Sequence, residues 1–201
     1  MDKEQILDEL IQSEALLKGH FILSSGLHSE GYVQCARALM SPVRAEKLCK
    51  ALAIKIHAFE QDSGVKFDVV VAPAMGGVVV GYEMARQLGL EEVFCERVDG
   101  AFEFRRGFRL TKGAKVLIVE DVVTTGKSSM EAARCVEAAG GEPLAVASLI
   151  DRRSGSESHA LDLPLISLIN IDFPTFSAAE APEHLKDVPA VKPGSRWLKA
   201  S

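Results

Sequence analysis

The sequence predicts an α/β fold in which a central parallel sheet is flanked by helices. Four continuous apolar runs, at residues 67–72, 116–119, 144–150 and 165–171, lack the alternation of a half-exposed strand. Such runs are typical of strands that are buried on both faces, as in a parallel sheet. Helical stretches follow the first two runs, and this alternation of strand and helix is the pattern of α/β domains with right-handed crossovers. The length of 201 residues allows one domain.

Two helices are predicted before the first of these strands. The first helix has an apolar face and ends at Gly19. Its apolar positions are Ile6, Leu7, Leu10, Ile11, Leu16 and Leu17. The second helix begins with Ser41 as N-cap and Pro42 in the first turn, where a missing N–H costs nothing. Its apolar positions keep the helical period, and they are Ala45, Leu48, Cys49, Leu52 and Ile56.

The middle of the chain contains two further helices and a hairpin. Helices are predicted over residues 77–88 and 127–139, each directly after an apolar run. Residues 93–110 are predicted to form two short strands around Asp99 and Gly100, because an Asp-Gly pair between apolar segments is typical of a tight hairpin turn.

Composition and charge exclude several classes of protein. Lys and Arg number 23 and Asp and Glu number 28, so the net charge is −5 and nucleic acid is not expected as the main partner. No apolar run approaches the ~20 residues that span a bilayer, and the N-terminus lacks the form of a signal peptide, so we expect no membrane partner. The four cysteines show neither a C-x-x-C pair nor metal-ligand spacing, which indicates free thiols in a cytoplasmic protein.

The residues after the run at 116–119 are the first candidate for a binding site. In open parallel sheets ligands bind beyond the carboxyl ends of the strands, and here Glu120 and Asp121 precede a loop rich in hydroxyl groups and glycine that opens a helix. Backbone N–H groups at such a helix start, supported by the helix dipole, suit a phosphate monoester. A ribose fits between the carboxylates and the loop, because the two carboxylates can accept hydrogen bonds from its 2′- and 3′-hydroxyls while the loop binds its 5′-phosphate.

Of two other interpretations of this segment, a P-loop fails and a purely structural role stays open from the residues alone. Gly126, Lys127 and Ser128 reproduce the end of a P-loop, but the pattern requires glycine at the position that Asp121 occupies. Alternatively, the acids form a strand-end turn and the Thr/Ser cluster only caps a helix, since caps of this composition are common.

The chain resembles the type I phosphoribosyltransferases. Residues 116–129, VLIVEDVVTTGKSS, are similar to the phosphoribosyl-diphosphate motif of that family: four apolar residues, two acids, two variable positions, then T-T/A-G-x-S/T. Residues 21–29, FILSSGLHS, and residues 73–77, PAMGG, resemble segments of the family's orotate-using members. Further similarity lies at residues 96–97, 104–108, 151–152 and 191–196, so the resemblance covers almost the whole chain.

The resemblance implies a fold, a reaction and partners. The fold would be that of a type I phosphoribosyltransferase: a single domain over residues 1–201, in which residues 1–40 and the C-terminal tail form a small hood subdomain. The enzyme would transfer the phosphoribosyl group of 5-phosphoribosyl 1-diphosphate to orotate, giving orotidine 5′-phosphate and diphosphate in pyrimidine (UMP) biosynthesis. Mg²⁺ would assist by bridging diphosphate oxygens, with no protein side chain assigned as its ligand. A homodimer is the expected assembly.

The same resemblance assigns roles to individual residues. Glu120 and Asp121 would be catalytic, holding the sugar hydroxyls and favouring positive charge at the sugar carbon. The phosphoribosyl group would also contact the loop that follows them, Val122, Val123, Thr124, Thr125, Gly126, Lys127 and Ser128. The diphosphate would contact Arg97 and the loop residues Ala74, Met75 and Gly76, with a cis or strained peptide bond expected at Ala74–Met75. Orotate would contact Thr124 and Arg152, whose guanidinium suits a carboxylate.

The chain departs from the family pattern in its cations. Many orotate-using members have lysines in a mobile loop, whereas residues 98–107 contain none and offer only Arg105 and Arg106. Gly76 and Ser24 likewise stand where longer relatives have lysine. Two alternatives therefore stay open: another type I phosphoribosyltransferase that acts on a purine base, and a non-catalytic nucleotide-binding regulator of that family.

Overall fold

Five α-helices and nine strands form the part of the chain that the computed structural model describes, residues 1–23, 25–153 and 161–193. The helices are α1 (Lys3–Gln12), α2 (Cys35–Leu39), α3 (Pro42–Ser63), α4 (Gly76–Leu88) and α5 (Lys127–Ala138). The strands are β1 (Leu16–Ile22), β2 (His28–Val33), β3 (Val69–Pro73), β4 (Glu91–Val98), β5 (Ala101–Phe104), β6 (Lys115–Val123), β7 (Glu142–Asp151), β8 (Leu165–Asn170) and β9 (Thr175–Phe176).

The chain forms two compact units, and the larger one spans Leu39–Ile171. Its six-stranded sheet has the order β5-β4-β3-β6-β7-β8. All neighbours in this sheet are parallel except β4 and β5, which form an antiparallel hairpin at one edge. The predicted α/β fold with a central parallel sheet is confirmed, and the four apolar runs are β3, β6, β7 and β8.

The sheet is buried because its central strands are apolar on both faces. All five residues of β3 are buried, as are the central residues of β6 and β7. Helix α4 packs closely on this sheet through glycine: a Cβ added to Gly81 would lie 2.7 Å from the Cβ of Ala72. A side chain at Gly81 would therefore force the helix away from β3.

Local signals in the sequence define the ends of α3 and the hairpin. Ser41 is the N-cap of α3, accepting from the backbone N–H of Arg44 at 3.4 Å, and the helix ends at Gly64 with φ +70°. Between β4 and β5, Asp99 (φ +48°) and Gly100 (φ +92°) are both left-handed, as a two-residue hairpin turn requires. Both predictions are confirmed.

The smaller unit combines Asp2–Ala38 with the segment that begins at Asp172. It contains α1 and a three-stranded sheet of order β1-β2-β9. The predicted continuation of the first helix through Leu16 and Leu17 is wrong: α1 ends at Gln12, and both leucines lie in β1, antiparallel to β2. Gly19 is not a helix stop but lies in an irregularity of β1 with φ +157°. The role of this unit as a hood stays a prediction.

The cysteines are free, as predicted, and Cys35, Cys49 and Cys95 are buried. In the described ranges, no helix is both long enough and apolar enough to cross a membrane. Of the segment at residues 191–196 that carries part of the family resemblance, residues 194–196 lie outside the described ranges, as does Ser24.

Candidate active site

A cavity of about 250 Å³ opens in the larger unit where β3 and β6 end. Three segments line it: the start of the loop after β3, the end of β6 with the start of α5, and one residue of β5. The lining residues are Pro73, Ala74, Gly76, Phe102, Glu120, Asp121, Val122, Val123, Thr124, Thr125, Gly126, Lys127, Ser128 and Ser129. The structure thus brings together most of the residues that the sequence nominated for phosphoribosyl binding.

The two acids lie within β6 and not after it, which corrects the predicted end of this strand. Val122 and Val123 continue the strand and pair with Ile150 and Asp151 of β7. Glu120 is consequently buried, with 8% of its surface exposed, and Asp121 is half-buried.

Burial makes these carboxyl groups weak acids. It raises the pKa of Glu120 to about 8, and the neighbouring charge of Asp121 adds to the rise. Burial also raises the pKa of Asp121, an effect that hydrogen bonds from backbone N–H groups oppose. One of these comes from Val122, whose N–H donates to Oδ1 of Asp121 at 2.8 Å. At neutral pH Glu120 is therefore mostly protonated in the absence of a ligand.

The loop after β6 has the geometry of an anion site. Thr124 is exposed and Thr125 is half-buried, and Gly126 adopts φ +79° as the N-cap of α5. The N–H of Lys127 donates to Oγ1 of Thr125 at 3.3 Å. Because α5 starts here, its first N–H groups and the positive end of its dipole face the loop.

The loop after β3 also lines the cavity. The peptide bond Ala74–Met75 is cis, as the family resemblance implied. Ala74 and Gly76 line the cavity, whereas Met75 does not and is 85% exposed. A Cβ added to Gly76 would lie 3.0 Å from Oδ1 of Asp121, so glycine allows this loop to approach the acids closely.

Arg97 does not line the cavity, although Phe102, one of the groups it contacts, does. Its guanidinium donates to Oε2 of Glu131 on α5 at 2.5 Å and to the carbonyl of Gly100 at 2.5 Å. It also lies 4.3 Å above the ring of Phe102, which forms part of the cavity wall. As a predicted diphosphate ligand, Arg97 is therefore held beside the site by groups of its own chain.

The other nominated arginines, and Arg153 next to Arg152, differ in their surroundings. The backbone N–H of Arg152 donates to the carbonyl of Val123 at 2.8 Å, which fixes this residue beside the end of β6, and its side chain is half-buried. Arg153 forms an ion pair with both carboxylate oxygens of Asp151. Arg105 and Arg106 are both exposed, and Arg106 pairs with Glu96 at 2.6 Å.

Phe102 is a cavity residue that the sequence reasoning missed, although a signal was present. A two-residue turn at Asp99 and Gly100 makes Arg97 and Phe102 cross-strand partners, and the structure has this register. The register of this hairpin could therefore have nominated Phe102, because it lies opposite the candidate Arg97.

The donor set in the cavity suits a substrate-held cation better than a protein-held one. Across the described residues, no group of three His, Cys, Asp or Glu side chains is placed to bind a metal ion. Two carboxylates, Glu120 and Asp121, line the cavity. Mg²⁺ is commonly bound by one or two carboxylates together with substrate phosphates, and these residues fit that arrangement.

Known proteins similar to this chain include several that are named orotate phosphoribosyltransferase. Residues 42–182 match the family described as phosphoribosyl transferase domain. An orotate phosphoribosyltransferase of Rhizorhabdus wittichii is 54% identical over 201 residues, 100% of both chains. One of Erythrobacter litoralis is 54% identical over 196 residues, 98% of this chain and 99% of the relative. The crystal structure of orotate phosphoribosyltransferase from Aeropyrum pernix is similar with a TM-score of 0.63 and 25% identity, covering 82% of this chain and 93% of that one.

Proposed function

The chain belongs to the phosphoribosyltransferase family, with full-length relatives that are orotate phosphoribosyltransferases, and we propose that it transfers the phosphoribosyl group of 5-phosphoribosyl 1-diphosphate to orotate. The products are orotidine 5′-phosphate and diphosphate, as in pyrimidine biosynthesis. One observation supports this most: a single cavity joins the buried Glu120 and the half-buried Asp121 to a helix N-terminus and to the loop with the cis peptide bond.

We assign the two acids to the ribose. Glu120 and Asp121 accept hydrogen bonds from the 2′- and 3′-hydroxyls and so orient the ribose. As the bond from the sugar carbon to the diphosphate breaks, positive charge develops on the ring, and carboxylates aimed at it stabilise that charge in a site of low polarity. Hydroxyl donors also favour the ionised form of Glu120, whose pKa burial has raised to about 8.

The start of α5 binds the 5′-phosphate. The N–H groups around Gly126 and Ser128 point toward the loop, and the hydroxyls of Thr124 and Thr125 add donors. Lys127 lines the same end of the cavity and supplies a positive charge.

The loop after β3 serves the leaving diphosphate. The N–H of Ala74 already donates to the carbonyl of Cys95 at 2.8 Å, so Ala74 fixes the loop. The N–H groups of Met75 and Gly76 follow it and are the donors that we assign to the diphosphate, with Arg97 as the nearby cation. A bound Mg²⁺ would neutralise charge on the diphosphate, and Glu120 and Asp121 are the carboxylates that would help to hold it.

Orotate is recognised beyond the end of β6. Arg152 follows β7 and is tied to Val123 through its backbone, so its guanidinium is assigned to the orotate carboxylate. Thr124 begins the loop at the end of β6 and is the second contact. A purine base carries no carboxylate, so an arginine in this role favours orotate over a purine.

An absorbance assay tests the reaction and its alternatives together. Orotate consumption is measured with 5-phosphoribosyl 1-diphosphate and Mg²⁺, beside parallel reactions with hypoxanthine and adenine. Consumption of orotate alone is expected. Turnover of a purine would instead support the purine-specific alternative, and no turnover with measurable binding of the diphosphate substrate would support a non-catalytic regulator.

We also assign the protein to the cytoplasm and expect a homodimer. Its four free cysteines suit a reducing compartment. Exposed apolar side chains on α3 and α4, Val43, Val79 and Tyr82, support the homodimer, because a subunit interface would bury them. Light scattering after gel filtration measures the mass; a monomer that shifts to no larger species at high concentration would refute the dimer.

A further inference from the structure

Glu131 is the residue that connects the β4–β5 hairpin to the helix of the phosphate loop. It lies on α5, four residues after Lys127, and does not itself line the cavity. Its Oε2 accepts from Arg97 at 2.5 Å, and its Oε1 lies 4.0 Å from Nζ of Lys127. One carboxylate therefore faces two cations, one from the hairpin and one from the cavity wall.

The ion pair with Arg97 differs from the other ion pair in this hairpin. Arg106 pairs with Glu96, so that contact stays between residues of the hairpin segment. Arg97 and Glu131 are 34 residues apart and join β4 to α5. The side chain of Glu131 is only 20% exposed, and the Arg97 guanidinium is confined on three sides by the carboxylate, the carbonyl of Gly100 and the ring of Phe102.

This contact has a consequence for the cavity through Phe102. Arg97 and Phe102 are directly opposite each other in the hairpin, and the guanidinium covers one face of the ring. When Glu131 holds Arg97, it also holds Phe102 in the cavity wall. Loss of the carboxylate would release the hairpin from α5 at this point and leave Lys127 without its i,i+4 partner.

We propose that Glu131 is a positioning residue for the reaction: it fixes the hairpin against α5, so that Phe102 forms the cavity wall and Arg97 and Lys127 stay at the phosphate-binding end. Its influence on activity rests on the proposed function, whereas its influence on the hairpin does not. Because an ion pair of this exposure changes an equilibrium by a factor of at most about five, moderate effects are expected.

Two measurements on purified full-length variants test this proposal. Hydrogen exchange without substrates compares residues 97–104 in the wild type, Glu131→Ala and Glu131→Gln. Exchange in this segment is expected to be about threefold to fivefold faster in Glu131→Ala, with β6 unchanged. Steady-state kinetics is expected to give a KM for 5-phosphoribosyl 1-diphosphate about fivefold higher, with kcat within about twofold and the KM for orotate unchanged.

A matched control and a charge swap separate positioning from general damage. Glu137→Gln changes an exposed acid of the same helix and is expected to leave exchange and kinetics unchanged. The double variant Arg97→Glu/Glu131→Arg is expected to restore slow exchange in the hairpin, whereas each single variant does not. In this double variant the hairpin should exchange slowly again, but the KM for 5-phosphoribosyl 1-diphosphate should stay high, because position 97 would carry a glutamate and no longer a cation.

The outcomes distinguish this proposal from the proposed function. Unchanged exchange at residues 97–104 in Glu131→Ala would refute the connection between hairpin and helix. Faster exchange with an unchanged KM for the diphosphate substrate would refute the positioning role. If the wild type consumes no orotate, the proposed function fails, and hydrogen exchange still decides whether Glu131 holds the hairpin.

Discussion

Replacing Glu120 by glutamine is expected to stabilise the protein, and more so as the pH rises. The carboxyl group is buried in β6, and its pKa is about 8 in the folded chain against an ordinary value of 4.5. Between these two values the folded state binds more protons than the unfolded state, so stability falls as the pH rises through that window. Glutamine has a similar shape and does not titrate, so it removes this loss.

The size of the effect follows from the two pKa values. At about 1.4 kcal/mol per pH unit, the interval from 4.5 to 8 sets an upper limit of about 5 kcal/mol above pH 8. The titration curve places about 3 kcal/mol of this at pH 7 and about 1 kcal/mol at pH 5. The advantage of Glu120→Gln over the wild type should therefore grow by about 2 to 3 kcal/mol between pH 5 and pH 7.

Urea unfolding at several pH values measures this difference directly, without substrates. For a chain of 201 residues, the gain at pH 7 corresponds to a melting temperature about 6 to 12 °C higher. Glu137→Gln, which changes an exposed acid on α5, is the control and should differ from the wild type by less than about 0.5 kcal/mol at every pH. An advantage of Glu120→Gln that stays constant or shrinks from pH 5 to pH 7 would refute the argument from burial.

Three further substitutions test the remaining assignments. Asp121→Asn should lower kcat by about 100-fold or more with an unchanged circular dichroism spectrum, and near-normal kinetics would contradict a catalytic role. Arg152→Ala should raise the KM for orotate by about tenfold or more, whereas the exposed Arg134→Ala should not; equal values would contradict the contact with the orotate carboxylate. Gly81→Ala should lower the free energy of unfolding by about 1 to 3 kcal/mol in urea, because its Cβ would lie 2.7 Å from that of Ala72, and an unchanged midpoint would contradict this close packing.

Elements whose residues fit only one kind of secondary structure could be predicted from the sequence. The buried strands contain continuous apolar residues, and Ser41 with Pro42 is a start signal that no strand would carry. Residues 16–22 are different, because Leu16 and Leu17 fit the helical period that precedes them as well as they fit a strand. The structure decides for a strand because β2 is available as an antiparallel partner, and such a partner cannot be read from the local pattern.

The candidate site also has a part that the sequence predicts and a part that it does not. Glu120, Asp121 and the loop to Ser128 are contiguous in sequence, so one motif nominates all of them, and the cavity contains them all. Contacts between distant segments follow from the sheet order instead. Arg97 meets Glu131 only because β4 and β5 lie at the edge beside β3 and α5 covers that part of the sheet. With 28 acids in the chain, the sequence offers no ground for choosing Glu131 as the partner.

The distribution of charge in the cavity explains why a chain with a net charge of −5 can bind a substrate with two phosphate-bearing ends. The acids lie inside β6, where burial raises the pKa of Glu120 to about 8. The start of α5 and Lys127 occupy another part of the same wall, and the loop at Gly76 reaches the acids from β3. In the proposed assignment, the acids bind the sugar, where positive charge develops, while backbone N–H groups and Lys127 bind the phosphates. Because the net charge averages over the whole surface, it carries no information on this cavity, whose lining contains acids, a cation and a helix N-terminus together.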